Sequence, residues 1–340
     1  MGAKIQIFVV CVKKSSTFAA RKFSILMQEK LRSYVLPAAI LFGLLLHRWC
    51  ALISFLAPYL VFVILLLNFV AVDLRKLHFT KMQWCILAFQ VVVSIAAYYL
   101  VISTIHNPLL AQGILIGILC PVACSVVVIA CMLGADRPTV TAYTVIGNLA
   151  IAVVAPLYFT IAGVHPELPM LSSFWLIFKK IAPTIGLPFF VALLLQVGWP
   201  RAHNFLARYN GVTFYIWAFL LFVTLGQTID FIFLHGAGNE WNIVWLAVAS
   251  MVVCAIQFGT GKWIGHRFGD SMAGGQMLGQ KNTAMGIWMA NTFLTPLTSV
   301  FLACYSVWQN LFNSWQIWRH DHQKLTSAPS SAAQSSQSGR

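Results

Sequence analysis

The chain has 340 residues, of which 59% are hydrophobic and only 9% are charged. A soluble domain carries about 25% charged residues, so composition excludes a soluble globular fold and points to an integral membrane protein. The net charge of +14 would suggest a nucleic-acid partner in a soluble protein, but the basic residues here cluster between apolar runs. The charge therefore reports topology and contact with the lipid bilayer, and no nucleic acid is expected. A helical span takes about 20 apolar residues, which leaves room for roughly ten spans with short connections. The runs are continuous and do not alternate, which argues against a β-barrel.

Residues 1–33 form a basic tail, with Lys4, Lys13, Lys14, Arg21, Lys22 and Lys30 around one apolar patch from Ile5 to Val12. That patch is too short to span, and neither a signal-peptide cleavage site nor a myristoylation motif accompanies it. The patterning then predicts ten spans within a transmembrane domain over residues 34–322. They are 34–48, 51–72, 83–104, 109–134, 139–163, 181–199, 212–234, 241–261, 272–292 and 295–318. Residues 171–180 read as a short interfacial helix entering the sixth span. The Ser/Gln/Ala-rich tail over 323–340 is expected to be disordered.

Charge sets the expected orientation. With both termini cytoplasmic, most of the 22 basic residues fall on the inner side, among them Arg75, Lys76, Lys81, Arg137, Arg201, Arg208, Lys262, Arg267 and Arg319. Arg48, Lys179 and Lys180 fall outside, and Lys281 falls within a span. The positive-inside rule favours this arrangement, a multi-pass protein of the cell (inner) membrane.

Two spans are interrupted. The fourth meets Cys120-Pro121-Val122-Ala123-Cys124-Ser125, and a mid-span proline removes a backbone donor and frees a carbonyl. The ninth is rich in Gly, Gln and Asn across residues 274–283. Spans four and nine hold the same place in two halves of five. Because five is odd, the second half inserts upside down relative to the first. Broken helices at matched places of inverted repeats point to a transporter's midplane site, where unwound backbone lines a cavity or is buried in protein. The expected fold is therefore all-α and polytopic, a five-plus-five inverted repeat with spans four and nine broken and crossing. The alternative is a proline kink and a polar packing seam without a ligand.

Lys281 is the most informative residue. It lies too far from either end of its span to reach a headgroup easily. A charge at such depth costs roughly 2.5–3.5 kcal/mol on insertion scales and marks a functional site by default. The candidate ion- and substrate-binding residues are Lys281, Gln90, Asn282, Thr144, Gln280, Ser125 and Thr283, with Pro121 and Gly279 supplying broken-helix backbone. The eight cysteines are scattered without a CxxC pair, so neither a disulfide framework nor a zinc site is expected. No metal or other cofactor is implied.

Over residues 30–322 the chain resembles the bile acid:sodium symporter family. The resemblance rests on Phe62 to Phe69 followed by Leu74 and Leu77, on Leu119-Cys120-Pro121 and on Ala155-Pro156-Leu157. It continues in Gln280-Lys281-Asn282-Thr283-Ala284 and in Pro296 to Trp318 with Trp308-Gln309-Asn310. The resemblance implies a core domain (spans three to five and eight to ten; residues 83–163 and 241–318) moving against a panel (spans one, two, six and seven; residues 34–72 and 171–235). The crossing of spans four and nine would hold ions and substrate.

Sodium-coupled members of that family bind two ions through hard oxygens. Of those ligands Gln90 matches a glutamine in span three, Thr144 a hydroxyl in span five, and Asn282 is retained. The Ser-Asn pair falls on Val126 and Val127, the glutamate on Met277, and the following glutamine on Lys281. An ammonium about 4 Å from a bound cation repels it by about 4 kcal/mol at an effective dielectric of 20, nearly a thousandfold in affinity. Both sodium sites are therefore expected to be lost or severely weakened. Lys281 would act instead as a tethered cation, exchanging a proton or pairing with an anionic substrate; a structural lysine held by carbonyls is the other reading.

The function expected is secondary transport of a small organic anion by alternating access, sodium-independent or proton-linked. Trp288, Met289, Phe293 and Trp308 would line an amphipathic pocket or pack. An intramembrane protease is not expected, since it needs two facing aspartates or a helical HExxH, and only Asp230 lies within a span. Two alternatives stay open: a metalloid or small-anion exporter using Cys120, Cys124 and Cys131, and a scaffold or receptor that has lost transport.

Overall fold

The computed structural model describes residue 38 and residues 41–74, 77–123, 125–162 and 169–327. The basic N-terminal tail, most of the first expected span, Cys124 and the tail from residue 328 lie outside the described residues. The described secondary structure is helical, apart from one isolated antiparallel bridge between Val122 and Lys281.

In chain order the helices are α1 (His47–Ile53), α2 (Ala57–Val70), α3 (Lys81–Thr104), α4 (Pro108–Leu119), α5 (Val126–Met132), α6 (Arg137–Ile161) and α7 (Met170–Gly198). They continue as α8 (Pro200–Ala207), α9 (Thr213–His235), α10 (Glu240–Arg267), α11 (Ser271–Gly279), α12 (Thr283–Phe293) and α13 (Ser299–Ser327). Short 3-10 turns join α1 to α2, α8 to α9 and α12 to α13. Six stretches are long and apolar enough to cross a bilayer: His47–Val70, Lys81–Thr104, Arg137–Ile161, Met170–Gly198, Thr213–Leu234 and Glu240–Arg267. The chain is a multi-pass membrane protein. The broken pairs α4/α5 and α11/α12 occupy the places expected of spans four and nine, and α13 that of span ten.

Local chemistry starts these helices where the sequence supplies a cap. Thr80 and Gln83 form a reciprocal capping box at the start of α3. Asn107, Asp136, Asp270 and Asn282 each accept a backbone N–H in the first turn of α4, α6, α11 and α12. Two of these caps also tie loops together. The Asn107 amide donates to Asn242 at 2.8 Å, and the Asp136 N–H donates to Asp270 at 2.8 Å.

Three boundaries depart from the sequence expectation. The break predicted between spans one and two at residues 49–50 is absent, because helix α1 runs through it. His47, at the first position of α1, sits 2.6 Å from the Asp230 carboxylate of α9. The interfacial helix at 171–180 is not separate. α7 runs unbroken for 29 residues, about 43 Å, through Pro183 and Pro188. The tail expected to be disordered from 323 is helical as far as Ser327, where it prolongs α13.

Packing separates two sets of contacts. α1, α2, α7 and α9 pack among themselves, while α3, α4, α10, α11, α12 and α13 form the other group. α6 packs along α7, and α9 along α12, where the two groups meet. Within the second group α10 and α11 approach to backbone contact. A Cβ on Gly274 would lie 2.3 Å from the Gly261 carbonyl oxygen and 2.7 Å from the Gly265 Cα. Small residues four apart on α10 allow this, as in the small-residue seams of membrane helices.

Gly274→Val should therefore destabilise the protein by about 1–3 kcal/mol or more, because rigid backbone and no flexible side chain blocks the added atoms. Thermal unfolding of the detergent-purified variant measures this, and an unchanged midpoint would remove the close-contact argument.

Candidate functional site

A helix that ends inside a bilayer leaves its last carbonyls without partners, and hydrocarbon offers none. α4 ends at Leu119, and its exposed carbonyls are all taken. Gly117 accepts from the Gln257 side-chain amide at 3.3 Å and Ile118 from the Lys281 ammonium at 2.8 Å. Leu119 and Cys120 both accept from the Gln90 side-chain amide at 2.9 Å. Three side chains from three other elements thus cap one broken helix.

The chain then crosses its counterpart. The Asn282 N–H donates to Pro121 at 2.8 Å and the Ala123 N–H donates to Gln280 at 3.0 Å, giving the antiparallel bridge. Pro121 carries no N–H, so the break leaves no donor unmet there. On the opposite strand the Tyr305 hydroxyl donates to Gly279 at 2.7 Å. Gln309 clasps Lys281 on both sides: it accepts from the Lys281 N–H at 2.9 Å and donates to the Lys281 carbonyl at 3.2 Å. The Cys120 thiol donates to the Asn282 carbonyl at 3.2 Å.

Two glutamine–tyrosine pairs support the crossing. The Tyr143 hydroxyl of α6 donates to Gln90 of α3 at 2.8 Å. The Gln257 amide of α10 donates to the Tyr305 hydroxyl of α13 at 3.1 Å. All four side chains are buried.

Lys281 is 1% exposed. Its ammonium meets the carbonyl end of α4, where the helix dipole is negative and a cation is favoured. The sulfurs of Cys120 and Cys254 are close enough to interact with it electrostatically. Among the described residues no carboxylate lies within ion-pair distance of it.

Most candidate residues meet here. Lys281, Gln90, Asn282, Gln280 and Thr283 are buried at the crossing, with Pro121 and Gly279 in its backbone. Ser125, at the start of α5, receives the Gln280 amide at 2.9 Å. Thr144 is the exception: its hydroxyl turns back onto the Thr141 carbonyl at 2.7 Å and makes no hydrogen bond to the crossing. Gly279 is small for a packing reason, since a Cβ there would lie 2.4 Å from the Phe258 ring. The sequence reading missed Gln257, Tyr143, Tyr305 and Gln309 as site residues. The available signal was a polar side chain standing alone in each apolar run.

The positions where hard oxygen ligands were sought are dry. Val126 and Met277 belong to one apolar cluster with Tyr143, Val122 and Leu278, and Val127 packs against it. The cysteine arrangement also differs from expectation. Cys120 closes α4 and residues 121–123 are not helical, while Cys124 lies outside the described residues. No group of three His, Cys, Asp or Glu side chains able to hold a metal occurs among the described residues.

A cleft of about 580 Å³ opens between α2, α7 and α9 on one side and α12 on the other. Tyr59, Lys179, Lys180 and Gln227 of α2, α7 and α9 line one wall, and Trp288 and Thr292 of α12 line the other. Of the other aromatic-pocket candidates, Met289 and Phe293 are buried in the core and Trp308 packs against it. No family model matches this chain, and no curated protein matches it.

Gln90→Leu should leave the Leu119 and Cys120 carbonyls and the Tyr143 hydroxyl unpaired, at about 1–3 kcal/mol for each buried group. The thermal midpoint in detergent should fall by several degrees. A midpoint equal to that of the unmodified protein would show that the cap contributes nothing.

Proposed function

We propose that this protein is a secondary transporter that moves a small organic anion by alternating access, without sodium coupling. In this reading it is a five-plus-five inverted repeat resembling the bile acid:sodium symporters, and Lys281 stands in for the bound cation. The observation that carries the reading is the Lys281 ammonium, held at the carbonyl end of a helix broken mid-span. A sodium ion would seek the same kind of carbonyl and amide oxygens. A covalently tethered ammonium neutralises that helix end whenever it is protonated and leaves the neighbouring positions free to be apolar, as Val126 and Met277 are.

The matched glutamine–tyrosine pairs support the inverted repeat. Gln90 and Tyr143 stand in the third and fifth spans of the first half, Gln257 and Tyr305 in the third and fifth of the second. Each pair secures the end of a broken helix.

The cleft supports an anionic substrate. Lys179 and Lys180, two of the three basic residues on the outer side in the charge-based topology, both line it. Tyr59, Phe62 and Trp288 give the same cleft an apolar body. An amphipathic anion fits that combination, with its charge at the lysines and its hydrocarbon against the rings. Between the two helix groups, such a cleft would open and close as one group moves against the other.

One observation favours a second reading, a scaffold that has lost transport. Lys281 is hydrogen-bonded to backbone, as a purely structural cap would be. Uptake of sulfated and carboxylated amphipaths into proteoliposomes separates the two, with sodium, proton or no gradient imposed. Uptake is expected to proceed at the same rate without sodium; a strict sodium requirement overturns the proposal. Lys281→Ala and Lys281→Gln should reduce uptake at least tenfold and alter its pH dependence. Wild-type behaviour in both would leave Lys281 a structural role only.

Lys179→Ala combined with Lys180→Ala should weaken uptake affinity for such anions by roughly tenfold or more, with a smaller effect at high salt. Equal affinity in the double variant would separate the cleft from the substrate.

A further inference from the structure

α13 carries a continuous polar line that the crossing does not use up. Tyr305, Gln309, Asn313, Gln316 and His320 follow one another at three or four residues, so they share one face of the helix. Gln309, Asn313 and Gln316 are each less than a tenth exposed. The upper end of the line meets Lys281: Gln309 clasps its backbone, and the Tyr305 hydroxyl donates to Gly279, two residues before it.

Below that point the polar atoms lack protein partners. The Gln276 amide of α11 donates to the Asn313 oxygen at 3.0 Å. The Gln276 oxygen, the Asn313 nitrogen and both polar atoms of Gln316 are buried with no hydrogen-bond partner in the protein. The buried Nε2 of His320 is likewise without one. Buried polar groups in a folded protein are almost always satisfied, by protein or by ordered water. Five such atoms in one line, running from the crossing towards the inner surface, call for a common partner.

The line ends at a second opening. The His320 ring lies against Gly134, about 3.9 Å from where a Cβ on that glycine would be. Gly134 in turn lines a cleft of about 790 Å³, together with Ala135, Asp136, Asp270 and Ser271. This cleft lies between the α5–α6 and α10–α11 connections and shares no lining residue with the one beside Trp288.

We infer that the Gln276–Asn313–Gln316–His320 line is a water-filled route joining the Lys281 crossing to the cleft at Gly134, and that protons reach Lys281 along it. The ligand is water and the hydronium ion. At the upper end hydronium gives one proton to the neutral amine, leaving water and an ammonium, and the reverse step returns it. The groups along the way can hold water without trapping a charge, since the amides of Gln276, Asn313 and Gln316 do not titrate. The titratable and charged neighbours are Cys120, Cys254 and Tyr305 at the upper end. Lys262 on α10 and Arg319 on α13 stand beside the lower part, His320 lies against Gly134, and Asp136 and Asp270 line the mouth. The inference rests on the reading of Lys281 as the exchanging cation, but its test needs no transport.

Silver ion, a bare cation small enough to follow water, is the probe. It is added in nitrate buffer to the His320 face of the full-length protein in oriented vesicles, and blocked thiols are read residue by residue by mass spectrometry after unfolding. In the unmodified chain Cys254 should be blocked at least tenfold faster than Cys50, which is equally buried but away from the route. Gln316→Leu, or Gln276→Leu from the neighbouring helix, should slow Cys254 at least tenfold, and Asn313→Cys should be blocked before Cys254. If Cys254 is as slow as Cys50, or is unaffected by both leucine variants, the route does not exist. Loss of sodium-independent uptake with labelling intact would instead count against the transporter reading alone.

Discussion

The structure depends on one constraint, the need to satisfy backbone carbonyls that a broken helix exposes where no bulk water is available. α4 stops in the middle of the protein, and every carbonyl it frees finds a donor from another element. Those donors come from α3, α10 and the α11–α12 crossing, so the cap also fixes where these elements lie. The antiparallel bridge between Val122 and Lys281 then aligns the two breaks. An ammonium is the strongest of the donors, and its burial is tolerable because it offsets the negative end of the helix it caps.

Away from the capped carbonyls the crossing is flanked by apolar side chains. An oxygen-rich pocket for sodium needs Ser, Asn and carboxylate side chains around a dehydrated ion. Here Val126 and Met277 pack in one apolar cluster with Tyr143, whose hydroxyl holds Gln90. A fixed cation and a hydrocarbon wall form a consistent pair.

Much of this could be read in the amino-acid sequence, and the misses share a cause. Both helix breaks were legible, because Pro121 and the Gly274-Gly275 to Asn282 stretch interrupt otherwise continuous apolar runs. The importance of Lys281 followed from its depth alone. Gln257, Tyr305 and Tyr143 were not legible as site residues, because a single polar side chain in an apolar run does not say which distant carbonyl it meets. The contact between His47 and Asp230 was not legible for the same reason, since nothing local pairs two residues 183 positions apart. α7 misled because Lys179 and Lys180 looked like an interface, while the helix continues past them along the wall of a cleft.

The glycine seam between α10 and α11 has a mechanical meaning. With Gly261 and Gly265 against Gly274, no layer of side chains separates the two backbones. Helices slide past each other when side chains can exchange rotamers in the space between them, and here that space does not exist. In the proposed transport cycle α10 and α11 would therefore move as one unit, with Lys281 carrying α10 along and the compliance lying at the α6–α7 and α9–α12 contacts.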